Sequence, residues 1–347
     1  MMAWLSDRID RFRGRGVHAP TVPPMDGALR PNTRLEDAGV LARVEAPDNL
    51  VLHQGGVLFS SGAAVHALDP ATGAVRDWRR FDAPVTAMSS FGDRLAVALE
   101  DGRLTLGEQA VTGLPPRACI TALSAGEGGT LIVCIGSADN APVDWKRDLL
   151  QRGATGSVWS VTAGGVATQI AGRLAWPSGA AAALGRITVA ESWRHRLTQL
   201  GGTPVVTDLP GYPSRLIPAG DGWWMCVFAP RNQLIELVLR EAAYRDRMMA
   251  EVDPKWWVAP TLSRATSFYE PMQGGAIRTH GIVKPWAPTR SYGLLVRLDA
   301  AFRPIASYHS RADGRFHGIT SALPFGDRVL VASRGGNAVL SLTPVQA

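Results

Sequence analysis

The sequence predicts an all-β protein, a six-bladed β-propeller with a helical and aromatic lid inserted in the fifth blade. Three observations predict it. Short apolar strands recur along the chain, joined by Gly-containing turns. Of 347 residues, 37 are Gly and 24 Pro, and long helical periodicity is nearly absent. The strand phrase recurs six times, and six small sheets stacked radially cover one another's faces and leave only short edges. A pair of β-sandwiches is the rival arrangement; the six-fold phrase count favours the ring.

The first 38 residues read as an N-terminal arm, with the propeller running from 39 to 347. Trp4, Leu5, Ile9 and Phe12 alternate with Arg8, Arg11 and Arg13. That pattern suits a short basic amphipathic helix, either touching a membrane surface or packing on the body. Residues 17–34 are Pro-rich and extended. A strand near Val40–Val44 follows and is expected to complete the last sheet, closing the ring.

The first repeat spans about Asp48–Phe81, with strands at 50–52, 57–60, 64–68 and 75–79 and a turn at Asp69-Pro-Ala-Thr-Gly73. The second covers about Val85–Leu114. The third, Arg117–Ile170, carries an insertion at 137–156 containing Asp144, Trp145, Arg147 and Asp148. The fourth, Leu174–Leu209, shows the phrase most clearly: a run of small apolar residues, a Gly185-Arg186 turn, then β-branched alternation. The fifth starts at Tyr212, breaks for an insertion at about 233–291 and resumes at Tyr292. Leu234–Val252 reads as a helix stopped by Pro254, the chain's one helical patch. A Gly- and aromatic-rich loop follows, expected to cover one end of the ring. The sixth repeat is His317–Leu342.

Composition bounds the function. The net charge is +6, but the arginines are scattered, so nucleic acid is not an expected partner. Cys119, Cys134 and Cys226 have no metal-ligand spacing. Cys119 and Cys134 flank one hairpin, where a disulfide and two inert buried thiols are both compatible. The odd cysteine count and the lack of an apolar leader segment point to the cytoplasm. No phosphate loop, no GxSxG elbow and no HExxH motif occurs. A small-molecule substrate, anionic or aromatic, is the expected partner.

The stretches LPGYPSRL (209–216), FAPRN (228–232) and AWPSG with ITVAESWRHRL (175–197) resemble the strictosidine-synthase-like family, as do YGLLVRLD (292–299) and HGITSALPFGDRVLVASRGG (317–336). That family stands beside the gluconolactonases and paraoxonases, calcium-dependent six-bladed propellers. The resemblance covers most of residues 40–342 and implies a lactone or ester hydrolase, or a Pictet–Spengler enzyme condensing an amine with an aldehyde. Position by position the implied calcium ligands are mostly missing. Asp48 fits one. Ser178, Ser214 with Arg215, and Cys119 with Ile120 stand where other ligands are implied, and Thr320 stands where a catalytic Glu is. Calcium wants six to eight oxygens, several anionic, so no cofactor is expected.

Candidate residues follow. Asp48, His317 and Thr320 are the catalytic candidates, with Asp48 or His317 activating water. Arg215 is expected to take the vacated cation position, pair with Asp48 and steady an anionic substrate; solvent exposure or a simple channel plug are its alternatives. Ser178, Ser214, Trp145, His195, Glu270 and Trp286 complete the substrate-binding set. Glu191 is expected to pair with Arg194. Trp256, Trp257, Tyr269 and Trp286 suit either a cavity wall or a small satellite core. A non-catalytic ligand-binding propeller that has lost its metal remains the second reading.

Overall fold

The computed structural model describes residues 22–267, 270–271, 278–279, 282–283 and 289–345. Six four-stranded antiparallel sheets form the blades of a ring. The basic amphipathic segment at the N-terminus lies outside the described residues, as do Tyr269, His280 and Trp286. Among the described residues no helix is long and apolar enough to cross a membrane.

Each blade begins with its innermost strand: Pro47–His53, Val85–Phe91, Ile120–Ala125, Pro177–Ala183, Gly211–Ala219 and Ile319–Phe325. Gly39–Arg43 pairs with Ala338–Leu342 at the edge of blade 6, so the two ends of the propeller chain close one sheet. The expected clasp is therefore the observed one. The core is distributed rather than central. One apolar cluster fills each junction between neighbouring blades, for example Ala87 and Leu104 of blade 2 against Ile120 and Val133 of blade 3. Strands with one face toward each neighbour read as apolar runs, which is why the alternation in the sequence is partial.

All six innermost strands share an irregularity near one end. The pairing register shifts at Asp48/Val51, Val85/Ala87, Ile120/Ala122, Pro177/Ala180, Pro213/Leu216 and Ile319/Ser321. A bulge re-aims the side chain at the extra residue. The residues at these bulges are Asn49, Thr86, Thr121, Ser178, Ser214 with Arg215, and Thr320, so one polar position per blade gathers at one end of the axis.

The inserted segments depart from expectation in two ways. The third-blade insertion carries a helix, α1 (Trp145–Gln151), which follows a 3-10 turn with Pro142 at its start. At seven residues it is too short to show periodicity. The expected single lid helix is two, α2 (Gln233–Arg240) and α3 (Ala242–Glu251), broken where Glu241 leaves helical geometry. Asn232 caps α2 by accepting from the Leu234 amide at 2.9 Å. The two insertions pack on each other. Leu150 joins Val238, Met248 and Trp257 in a satellite core, and Arg245 donates to the Leu150 carbonyl. Trp257 thus belongs to that core. The arm docks on blade 5: Leu35 is fully buried, its amide donates to the His309 carbonyl, and Asn32 Nδ2 donates to the Ser307 carbonyl.

Candidate functional site

The axis is closed at mid-height by a guanidinium. Arg215 projects from the bulge of blade 5 and binds three other blades. Its Nη1 pairs with Asp48 Oδ1 of blade 1 and donates to the Thr320 carbonyl of blade 6 at 2.6 Å. Its Nη2 donates to Asn49 Oδ1 and, at 3.3 Å, to the Thr86 carbonyl of blade 2. The four Nη hydrogens are thereby all engaged. Gly179 makes the placement possible: a Cβ there would lie 2.4 Å from the Ser214 carbonyl oxygen and 2.7 Å from Arg215 Cα. The close approach of blade 4 to the arginine's backbone needs a residue without a side chain.

Asp48 is buried. Its amide neighbour Asn49 donates to Oδ1 at 2.8 Å, and Arg334 Nη1 lies 3.5 Å from Oδ2. Burial pushes the carboxyl upward, but the charges of Arg215 and Arg334 and the donated hydrogen bonds outweigh it and hold the group below its usual range. Asp48 is therefore an ionised, paired carboxylate and a weak base.

Arg215 divides the channel. It lines a cavity of about 290 Å³ on one side, walled by small and apolar inner-strand residues, and one of about 250 Å³ on the other. The second cavity gathers the polar side chains of the bulges. Asp48, Thr86, Thr121, Ser178, Ser214 and Thr320 line its floor; Trp145, Trp176, Phe228 and Leu262 form much of its wall. The wall is a cluster of stacked rings in which Trp193 sits 5.1 Å from Trp176 and 6.3 Å from Trp145. Trp193 Nε1 donates to Asp148 Oδ1 at 2.7 Å, fixing the stack to α1. Trp145 and Leu262 come from the two insertions, so described residues of both border this end.

Six of the expected site residues thus meet at one cavity: Asp48, Arg215, Ser178, Ser214, Thr320 and Trp145. The two serines arrive with their hydroxyls in use. Ser178 Oγ is 2.5 Å from Ser192 Oγ, and Ser214 Oγ donates to the Cys226 carbonyl at 3.1 Å.

Three residues do not join them. His317 is fully buried away from the cavity. Its Nε2 donates to the Arg311 carbonyl at 2.8 Å and its Nδ1 faces the Ser291 hydroxyl at 2.8 Å. Burial pushes its pKa down, so it is a neutral ring with both nitrogens occupied. His195 lies in a left-handed turn before the third strand of blade 4. Its Nδ1 is 3.0 Å from the Gly211 carbonyl and its Nε2 is 3.3 Å from Glu236 on α2, which ties the lid helix to the ring. Glu270 accepts from the Thr266 amide at 2.8 Å and lies 3.6 Å from Arg290, stabilising the base of the lid loop. Trp286 lies outside the described residues. Glu191 pairs with both Arg194 and Arg196 at 2.6 Å.

Two charged cavity residues were not foreseen. Glu100 lines the cavity, and its carboxylate has no partner among the described residues. Arg334 also lines it, and 47% of its side chain is exposed. Each follows directly on the second strand of its blade, Arg94–Leu99 and Arg328–Ser333. The available signal was a charged residue closing an apolar run and followed by Gly within two positions, Leu-Glu-Asp-Gly and Ser-Arg-Gly-Gly.

This donor set does not fit calcium. Its two carboxylates are Asp48, already paired with Arg215, and Glu100. The Thr121, Ser178 and Ser214 hydroxyls are bonded to the chain, and only those of Thr86 and Thr320 have no partner among the described residues, too few oxygens for a cation that wants six to eight. No group of three His, Cys, Asp or Glu side chains able to hold a metal occurs among the described residues. The three cysteines are free and buried, their thiols pushed up to about 12, first of all by burial.

No family model and no curated protein matches the chain. Solved structures do. A gluconolactonase from Xanthomonas campestris is similar over 94% of this chain and 96% of its own, with a TM-score of 0.54 and 13% identity. Regucalcin, a calcium-binding protein from Agrobacterium tumefaciens, is similar over 88% and 92%, at 0.51 and 13%. The PQQ-bound aldose sugar dehydrogenase from Streptomyces coelicolor is similar over 92% and 99%, at 0.50 and 12%. At such identities the likeness establishes the fold alone: the chain is a six-bladed β-propeller.

Proposed function

We propose that the chain is a metal-independent hydrolase of the strictosidine-synthase-like group that opens a lactone or an ester in the lidded cavity. One observation carries this reading: the same small cavity holds an unpaired carboxylate, Glu100, and a half-exposed guanidinium, Arg334. Glu100 takes a proton from water as the water oxygen adds to the acyl carbon. Arg334, backed by the charge of Arg215, stabilises the negative charge that develops on the acyl oxygen. The carbon–alkoxy bond then breaks, and the alkoxide takes the proton back from Glu100. A lactone gives a hydroxy acid; an ester gives an acid and an alcohol. Asp48 holds Arg215 in place and does not exchange protons. The gluconolactonase among the similar structures supports the substrate class by analogy of fold.

A second reading, a non-catalytic small-molecule-binding propeller, is favoured by the fates of Asp48, His195 and His317, each engaged by other groups of the chain. Condensation of an amine with an aldehyde has less support, because Thr320 brings only a hydroxyl to the place where that chemistry wants a base. The deciding experiment is a panel of lactones and aryl esters assayed with a chelator present. Glu100→Gln is expected to lower kcat by about 100-fold or more and to leave binding of an uncleavable analogue unchanged. Ligand binding without turnover of any panel member selects the second reading.

A further inference from the structure

The lidded cavity holds one guanidinium, Arg334, whose fork no carboxylate among the described residues engages closely. Around the floor stand Arg215, Arg334 and Asp48. Asp48 is committed to Arg215, whose Nη hydrogens are all used within the protein. Arg334 keeps only a loose contact, 3.5 Å to Asp48 Oδ2, longer than an ordinary hydrogen bond. Its side chain is 47% exposed, and its backbone is fixed by the Arg334 amide donating to the Gly318 carbonyl at 2.9 Å. A planar guanidinium held at its base and free at its fork is suited to a carboxylate.

The rest of the cavity narrows the ligand. Its wall is aromatic and aliphatic, formed by Trp145, Trp176, Phe228 and Leu262, which suits a ligand with an apolar, ring-shaped body. Its volume, about 250 Å³, admits a small molecule only. Glu100 in the same cavity opposes a second negative charge, so a dianion such as phosphate is disfavoured.

We infer that the cavity is a binding site for aromatic or cyclic monocarboxylic acids, with the carboxylate on Arg334 and the ring against Trp145 and Trp176. This deepens the hydrolase reading, in which such an acid is the product and a competitive inhibitor, and rests on that reading only for its role in turnover. The acid is held by a group that the ester or lactone meets only weakly before reaction, so the product outlasts the substrate in the site.

The probes are 3-phenylpropionate and its neutral amide, compared by calorimetry and by quenching of tryptophan fluorescence. Inorganic phosphate serves as the dianion control, and wild type is set against Arg334→Gln and Arg334→Lys. The acid is expected to bind wild type about tenfold or more tighter than the amide. Arg334→Gln should abolish that preference without altering amide affinity, Arg334→Lys should retain part of it, and phosphate should not compete. Equal affinity of acid and amide for wild type overturns the inference. So does a preference that survives Arg334→Gln, or the failure of both probes to bind at about 10 mM. A protein that shows the acid preference but hydrolyses nothing loses the hydrolase reading and keeps the acid site. Turnover of neutral lactones without any acid preference does the reverse.

Discussion

Arg215 is the residue on which the axis depends, and replacing it by Met isolates its contribution. Met keeps much of the side-chain length and removes the charge and the four donated hydrogen bonds. Removing one partner of a buried ion pair typically costs about 3–5 kcal/mol, because the other charge is left unpaired. Here Asp48 keeps the Asn49 amide at 2.8 Å and Arg334 at 3.5 Å, which lowers the expected loss. The carbonyls of Thr320 and Thr86 and the amide oxygen of Asn49 lose donors, but cavities on both sides of the arginine admit water to them. The sum is roughly 3 kcal/mol. With an unfolding entropy of about 2.1 cal/mol/K per residue over 347 residues, that shifts the midpoint by about 4 °C. Calorimetry and urea unfolding measure it. The double variant Arg215→Met with Asp48→Asn removes both charges and should recover about half the loss or more. A single variant as stable as wild type, or a double variant as damaged as the single, refutes the view that the loss comes from an unpaired Asp48.

Two further outcomes complete the set. Added calcium or a chelator should move the midpoint of wild type by no more than about 1 °C, since a ligand stabilises only by binding the native state; a larger calcium-dependent rise contradicts the donor set described above. His309 is fully buried between Tyr292 and Ser307, and burial, reinforced by Arg34, pushes its pKa down to about 4. A folded pKa below the unfolded value of about 6.5 means stability is fully present above pH 6.5 and is lost as pH falls through 4, by roughly 3 kcal/mol in all. His309→Phe should remove that slope in a series of denaturant titrations.

The strand framework was legible because each turn carries its own chemistry. Asp69 caps its turn by accepting from the Ala71 amide at 2.8 Å, and Gly73 and Gly185 take the positive φ the turns require. The inner-strand residues of the site were legible for a related reason: each is a polar residue interrupting an apolar strand, and Ser178, Ser214, Arg215 and Thr320 prove to lie at a bulge, with Asp48 just before one. Depth along the strand was not legible. His317 and Thr320 are three residues apart, yet only Thr320 reaches the cavity: it lies at the register shift inside the strand Ile319–Phe325, whereas His317 precedes that strand and bonds to Ser291 and Arg311. Glu100 and Arg334 were missed because they leave the ends of second strands, where periodicity assigns no face. The helix α1 was missed because it has fewer than two full turns of apolar spacing.

The guanidinium on the axis also limits where reactivity can reside. A metal ion in that position exchanges ligands and polarises whatever binds it. Arg215 does neither: its Nη hydrogens are committed to four acceptors on three blades, and release of the one on Asp48 would leave a buried carboxylate without its main counter-charge. Electrostatic work on a ligand must then come from the charges above it, Arg334 and Glu100, which the ring leaves uncommitted. The same step explains why the cavity is aromatic-walled. With the axis sealed, a ligand is held by the lid-borne surface of Trp145 and Leu262 rather than by a central ion, so the third- and fifth-blade insertions become part of the site instead of a cover over it. In the hydrolase reading, selectivity therefore resides in those insertions.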